Sequence, residues 1–315
     1  MAVYKTEHGF QIKSRSSDPS TPILGEIWYN TTTQTLKVAP ELSGWASGAP
    51  INTARYLHLG AGTQTAGLIF GGDTGSLSDL NESYNGLTWT EEADLITARQ
   101  GGGGCGTQTA ALCIGGGFPP NFGEVESYDG SSWTEGPDIN SDRRSGGAAG
   151  TSTAAILFGG IISSNSKLNE SWDGSSWTEV GDMNTARRDV AGFGTSTAAI
   201  VAGGNEAPPT TSALSESWDG SSWTATNTLN TGRLGLRGAG TSTAGLAFGG
   251  TDVTVTESWN GTSWTEESDM ATARHLHASA GTSTAALGAG GYTTAVVTNS
   301  EEWIDGATIR SVDTT

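Results

Sequence analysis

Six arginines recur along the chain at the spacing of an internal repeat, and they are the residues best suited to bind an anion. Each stands seven residues before the glycine of a GTxTA phrase: Arg55, Arg99, Arg143, Arg187, Arg233 and Arg274. A guanidinium presents its N–H donors in a planar fork that matches a carboxylate. A ring of them at a channel mouth could hold an anion, an acidic peptide or a sugar carboxylate.

Each repeat also carries a glutamate further along, which offers these arginines a partner inside the protein. The glutamates are Glu82, Glu126, Glu170, Glu216, Glu257 and Glu301. Pairing of arginine with glutamate is therefore the alternative to ligand binding. We favour it, because a feature present in every repeat is more typical of architecture than of a site.

Histidine is scarce, and its placement breaks the repeat. His58 and His277 each follow their repeat's arginine by three residues, and His275 is close by. A metal site would need three or four ligands, usually with carboxylates or thiols beside the imidazoles. We therefore expect two histidines that line a channel and no metal or other cofactor.

The remaining residues offer no catalytic arrangement. No nucleophile stands with a base and an orienting third group, and GGGGCG at 101–106 lacks the Gly-Lys-Ser/Thr of a phosphate loop. Cys105 and Cys113 occupy positions that are apolar in the other repeats. We expect buried free thiols there in preference to a disulfide.

The repeat itself predicts the elements that position these residues. The GTxTA glycines stand at 62, 106, 150, 194, 240 and 281, and each repeat continues with an apolar run, Gly-Gly, Glu and an aromatic residue, which Asn/Asp-Gly and Trp follow in the first five repeats. Asn-Gly and Asp-Gly are strong hairpin signals, because both central residues of the favoured two-residue turn need positive φ. Four strands per repeat of 40–50 residues are typical of propeller blades.

The Gly-Gly pair after an apolar strand, the aromatic residue followed by Trp, and the arginine that opens each unit resemble kelch repeats over residues 43–306. The gap from Trp172 to Trp177 is about one residue shorter than that family usually shows, and SWDGSSW also resembles the Asp-box turn of sialidases, again one residue short. The resemblance implies an all-β, six-bladed kelch-like β-propeller at residues 41–315. Trp45 stands where a fourth-strand Trp belongs, so the chain's N- and C-terminal strands should close the ring together. Residues 307–312 could add outside the last blade or compete with the Trp45 strand.

Residues 1–40 differ from the repeats and are expected to form an anchoring extension. GEIWYNTTTQTLKV predicts a β-hairpin and is similar to a phrase found in tail and fibre proteins of tailed bacteriophages, while KSRSSDPSTP predicts an extended connector. The sequence shows no secretion signal and no apolar run long enough to span a membrane. A net charge of −18 argues against nucleic-acid binding.

The propeller topology sorts the connections onto two faces. The TSTA and Asn/Asp-Gly turns share one, the turn face, and are nearly uniform. The arginines and the loops after Gly-Gly share the other, the loop face, which varies between repeats. Candidate contact residues there are Phe118, Phe122, Ile161, Ile162 and Tyr292; the alternative is that they fold over the blade tops.

These observations favour a non-enzymatic virion protein of a tailed phage, made in the host cytoplasm and associated with the tail or its fibres. Its partners would be other virion proteins through residues 1–40 and a host-surface glycan or protein on the loop face, with homo-oligomerisation left open. The alternatives are a capsid or tail decoration protein, a sialidase- or oxidase-like glycan-active enzyme, and an adaptor that binds an acidic peptide. An enzyme would require unique polar residues that converge on the channel.

Overall fold

The structure, a computed structural model, describes residues 4–5, 11–19, 26–38, 43–207, 210–306 and 310–312. The chain divides into two compact units, Met1–Gly44 with Ile304–Thr315 and Trp45–Trp303. All regular secondary structure in the described ranges is β-strand. Accordingly, those ranges contain no helix long and apolar enough to cross a membrane.

Six four-stranded antiparallel sheets, here called blades, make up the larger unit. Blade 1 comprises Leu59–Thr63, Ala66–Phe70, Asn81–Tyr84 and Trp89–Glu91; blade 2 Gly103–Thr107, Ala110–Gly116, Phe122–Tyr128 and Trp133–Gly136; blade 3 Gly147–Thr151, Ala154–Phe158, Asn169–Trp172 and Trp177–Val180. Blade 4 comprises Ala191–Thr195, Ala198–Ala202, Ser215–Trp218 and Trp223–Ala225, with a small hairpin of Asn205–Glu206 and Thr210–Thr211 in its loop; blade 5 Arg237–Thr241, Ala244–Phe248, Thr256–Trp259 and Trp264–Glu266. Blade 6 comprises Ala278–Gly281, Ala286–Ala289, Ser300–Ile304 and Gly44–Gly48.

The ring closes through blade 6. Gly44–Gly48, at the beginning of the larger unit, is the outer strand beside Ser300–Ile304. The first strands of the blades contact one another in cyclic order, with blade 6 against blade 1. The all-β propeller predicted from the repeat is therefore confirmed.

The Asn/Asp-Gly turns differ from the expected geometry. Gly174 has φ of 95°, but Asp173 is not in the positive-φ region, and four residues separate the paired Trp172 and Trp177. The Asp173 carboxylate accepts hydrogen bonds from the backbone nitrogens of Ser175 and Ser176, both at 2.8 Å. The side chain thus fixes the turn, so only the glycine needs a left-handed backbone.

The apolar core lies between neighbouring blades. Phe70 of blade 1 contacts Trp133 of blade 2 with ring centroids 4.9 Å apart, and Cys113 is buried in the same cluster. Cys105 is buried in the next cluster, and both thiols are free. Each sheet buries its faces only when a neighbour of matching shape is present, so the repeated sequence encodes mutual packing.

The smaller unit holds one five-stranded sheet in the order Tyr4–Lys5, Gln11–Arg15, Ile27–Asn30, Thr35–Val38 and Arg310–Val312. The predicted hairpin is present as Ile27–Asn30 paired with Thr35–Val38. Two interpretations need correction. Residues 13–15 of the supposed connector lie in a strand parallel to the hairpin, whereas residues 20–22 fall outside the described ranges. The strand Arg310–Val312 pairs with Thr35–Val38 and not with the last blade, so these residues belong with the N-terminal segment.

Candidate functional site

The six repeat arginines are buried and paired with the glutamate of their own blade. Arg187 and Glu216 are 2.8 Å apart, with 0% and 3% of their side chains exposed. The other pairs are equally buried: Arg55–Glu82, Arg99–Glu126, Arg143–Glu170, Arg233–Glu257 and Arg274–Glu301. The arginines therefore pair with glutamates inside the protein, which is the alternative to ligand binding that the sequence favours.

The glutamate of each pair also accepts hydrogen bonds from the backbone of the segment that leads into its blade. The Glu82 carboxylate accepts from the backbone nitrogen of Asn52 at 2.7 Å and from that of Thr53 at 3.3 Å. Arg187 donates to the carbonyl oxygens of Gly203 and Leu214, both at 2.8 Å. Some guanidinium nitrogens, Arg187 Nε among them, have no hydrogen-bond partner, but all six arginines are buried against a glutamate. This burial removes them from the candidate ligand-binding residues.

A closed ring of backbone hydrogen bonds surrounds the channel on the loop face. Its members stand two residues after each arginine and all have φ between 52° and 69°: Leu57, Gly101, Ser145, Asp189, Gly235 and Leu276. Each amide nitrogen donates to the carbonyl oxygen of the same position in the preceding blade, at 2.5–2.9 Å. Four of the members are not glycine, although a left-handed backbone costs a residue with a side chain about 1 kcal/mol or more. The ring therefore holds the blades in register at this end.

One side of this ring carries charged residues that no other blade repeats. Arg237 lines the channel just inside the ring, and Asp189 is a member of the ring itself. Burial raises the pKa of the Asp189 carboxyl, while the charge of Arg237 and a hydrogen bond from Ser145 oppose that rise. The Nε atom of Arg188 lies 3.6 Å from the Asp189 carboxylate. Blades 3, 4 and 5 thus bring three charges and a hydroxyl together.

The sequence contained a signal for this cluster that our sequence analysis missed. Asp189 stands where the other blades carry Leu, Gly or Ser, and Arg237 stands where they carry Leu, Gly or Ala. Only alignment of the repeats position by position isolates these two residues. Their meeting also depends on the order of the blades around the ring.

The histidines do not line the channel as expected. His58 is fully buried, with its Nε2 atom 2.9 Å from the carbonyl oxygen of Ala289. His277 is fully buried as well, and burial holds the pKa of both imidazoles well below the usual value. His275 is partly exposed and contacts the ring of Tyr292 at a centroid distance of 5.5 Å. Among the described residues, no group of three or more His, Cys, Asp and Glu could hold a metal ion.

The predicted contact residues of the loop face are exposed to different degrees. Phe118 is 66% exposed and Ile162 37%, whereas Ile161 is only 8% exposed and bridges to Arg144. Phe122 and Tyr292 are partly buried. The prediction therefore needs correction for Ile161, which folds over its blade.

Asn121 holds the exposed loops of blades 2 and 3 together. Its Nδ2 atom donates to the carbonyl oxygens of Ile161 at 3.0 Å and Ile162 at 2.8 Å. Its Oδ1 atom accepts a hydrogen bond from Arg144 at 2.5 Å. Asn165 makes a similar bond at 2.8 Å to the carbonyl of Asn205 in blade 4. Leu214, 37% exposed in the loop of blade 4, is a further apolar residue that the sequence analysis did not select. The loop patch, Phe118, Ile162 and Leu214, therefore stands on cross-linked loops.

Comparison with known proteins identifies the class of the larger unit. No protein-family profile matches the chain, and no curated protein matches it. Among solved structures 463 chains match. One of them, titled "Structure of YjhT", superposes with a TM-score of 0.71 at 13% identity and covers 84% of this chain and 99% of that one. At this identity the likeness shows the fold alone, a β-propeller.

Proposed function

We propose that this chain is a non-enzymatic virion protein of a tailed phage, with a kelch-like propeller that binds a partner through its loop face. The partner would be a host-surface glycan or protein. Residues 1–40 would attach the propeller to other virion proteins. The resemblance of GEIWYNTTTQTLKV to phage tail and fibre sequences motivates the assignment to a virion.

The observation that carries the proposal is the contrast between the two faces. On the turn face, blades 1 to 5 each use nearly the same four-residue turn, closed by its own Asn or Asp. On the loop face, sequence and length vary between blades, and Phe118, Ile162 and Leu214 are exposed. Variable loops on a rigid scaffold are the usual place for recognition.

The fixed position of these loops favours binding without rearrangement. The amides of Asn121 and Asn165 tie three consecutive loops to one another. A surface that is ordered before binding loses less conformational entropy when the partner arrives. Exposed aromatic and aliphatic residues beside ordered polar groups are typical of interface centres.

The test is immunogold labelling of purified particles of a phage that encodes this chain, with an antibody against residues 43–306. Label at fibre tips or at the distal end of the tail supports host recognition. Label spread over the shell favours the alternative of a decoration protein. Particles without label contradict the virion assignment.

Adsorption of phage with single substitutions then tests the role of the loop face. We expect Phe118→Ser to slow adsorption, because it removes the most exposed aromatic residue of the loop patch. Leu87→Ser is the matched control, since Leu87 is 79% exposed in a turn of the opposite face. Equal adsorption of both variants would exclude the loop patch from binding.

One observation favours the second candidate, a glycan-active enzyme. Arg237, which lines the channel, and Asp189, whose carboxyl interacts electrostatically with Arg237, both break the repeat, as active-site residues would. Incubation of the purified chain with a panel of fluorogenic glycosides tests this candidate. Glycoside turnover by the wild type that disappears in Asp189→Asn would establish an enzyme. If the wild type shows no turnover, the non-enzymatic proposal stands.

A further inference from the structure

Arg237 is the one charged side chain among the residues that line the inner channel. The inner strands leave a cavity of about 60 Å³, lined otherwise by Leu59, Ala148, Val190, Ser279 and backbone-exposing glycines. A buried water needs roughly 10–15 Å³ of such volume, so the cavity has room for about four to six water-sized molecules. A molecule of three or four heavy atoms fits this space.

The guanidinium of Arg237 uses little of its bonding capacity within the protein. Its Nη1 atom donates to the carbonyl oxygen of Leu236 at 3.0 Å. The carboxylate of Asp189 interacts electrostatically with this guanidinium, but no ion pair within 4 Å joins these two described residues. Asp189 instead has Arg188 at 3.6 Å and a hydrogen bond from Ser145.

This position contrasts with the six repeat arginines. Each of those has a glutamate within ion-pair distance. Arg237 is partly buried in the channel wall and has no such partner, and its desolvation lowers the pKa of the guanidinium. A cation removed from water gains most from an anion that can accept several of its hydrogen bonds. A planar carboxylate accepts two of them side by side.

We propose that the channel cavity binds a small carboxylate, of the size of formate or acetate, on the guanidinium of Arg237. The wider end of the channel provides the way in. A section of about 180 Å³, bordered by Gly62, Gly106 and Gly150 near the turn face, shares its inner lining with the Arg237 cavity. At the opposite end stands the backbone ring of Leu57 and its equivalents. This site does not depend on the function proposed for the loop face.

The experiment is thermal unfolding of the full chain in sodium formate or sodium acetate. Sodium gluconate at equal ionic strength serves as the control anion that is too large for the cavity. The wild-type Tm should rise with formate and acetate above its value in gluconate, because a ligand of the folded state stabilises it. The absence of such a rise overturns the proposal.

Arg237→Met tests whether the guanidinium carries the effect. This variant should fold, since the equivalent positions of other blades hold Leu59 and Ala191, and its Tm should not respond to formate. Lys167→Gln, which removes a cation that is 54% exposed and outside the cavity lining, should respond as the wild type does. An equal response of Arg237→Met and the wild type overturns the proposal.

A crystal structure provides a readout that does not depend on the folding of any variant. Wild-type crystals soaked in sodium formate should show density of formate size within hydrogen-bond distance of the Arg237 guanidinium. Density for water alone at that place overturns the proposal.

Discussion

The backbone nitrogen of Leu57 donates a 2.8 Å hydrogen bond to the carbonyl oxygen of Leu276. These residues belong to the first and last blades, so this bond closes the ring of six around the channel. This hydrogen-bond ring can form only when the six blades pack correctly. That packing depends on the buried Arg–Glu pairs and on the aromatic contacts between sheets.

Glu216→Gln should destabilise the protein strongly. The substitution leaves the guanidinium of Arg187 buried without its counter-charge, and breaking a buried pair on one side typically costs about 3–5 kcal/mol. Urea unfolding at pH 7 measures the free energy of unfolding. Glu179→Gln, which changes an exposed glutamate of the preceding blade's outer strand, should alter it by less than about 0.5 kcal/mol. A similar effect of both substitutions would show that the pair contributes little.

The acid side of the stability profile should depend on Asp173 and Asp219. Hydrogen bonds from the turn serines lower the pKa of each carboxyl from 3.8 to about 2 in the folded protein. A lowered folded-state pKa contributes stability above pH 3.8, and this contribution is lost as the pH falls from about 3.8 to 2. The chain itself suggests the control substitution, because Asn85 and Asn260 occupy the same turn position in blades 1 and 5.

The double variant Asp173→Asn with Asp219→Asn should therefore fold normally at neutral pH. Its urea midpoint should fall less than that of the wild type between pH 5 and pH 2.5. An equal fall in both proteins would mean that these turns do not contribute to acid sensitivity.

His277 should make the protein less stable as the pH falls below about 6.5. Burial holds the pKa of its imidazole well below that value, so the unfolded chain binds the proton more readily than the folded one. His277→Val should flatten the profile between pH 7 and pH 5, because Val190 fills the equivalent place in blade 4. Thermal unfolding across this range provides the measurement. A variant with the slope of the wild type would contradict this role for His277.

Asn121→Ala should loosen the loop patch without unfolding the propeller. The substitution removes the bonds to the carbonyls of Ile161 and Ile162 and the bond from Arg144, all of which join loops outside the apolar core. We expect faster proteolytic cleavage near residues 117–122 and slower adsorption of phage that carries the variant. The Tm should change little, since the core contacts are intact. Unchanged cleavage would show that the amide does not order these loops.

The blade could be predicted from the sequence, because the signals for its strands and turns are local. The spacing of Gly-Gly, Asn/Asp-Gly and Trp predicts four strands per repeat, and the place of Trp45 relative to Arg55 predicts the outer strand of the last blade. The arginine and glutamate of each repeat belong to the same blade, so their pairing could also be anticipated.

The tertiary structure alone decided which residues of different blades meet. Asp189 and Arg237 belong to blades 4 and 5, and their charges act on each other only because these blades become neighbours in the folded ring. The loop residue Asn121 of blade 2 likewise reaches Ile162 in the loop of blade 3 because the two blades are neighbours. The strand Arg310–Val312 pairs with residues more than 270 positions earlier. Such contacts depend on the closure of long loops, and no local pattern of residues carries that information.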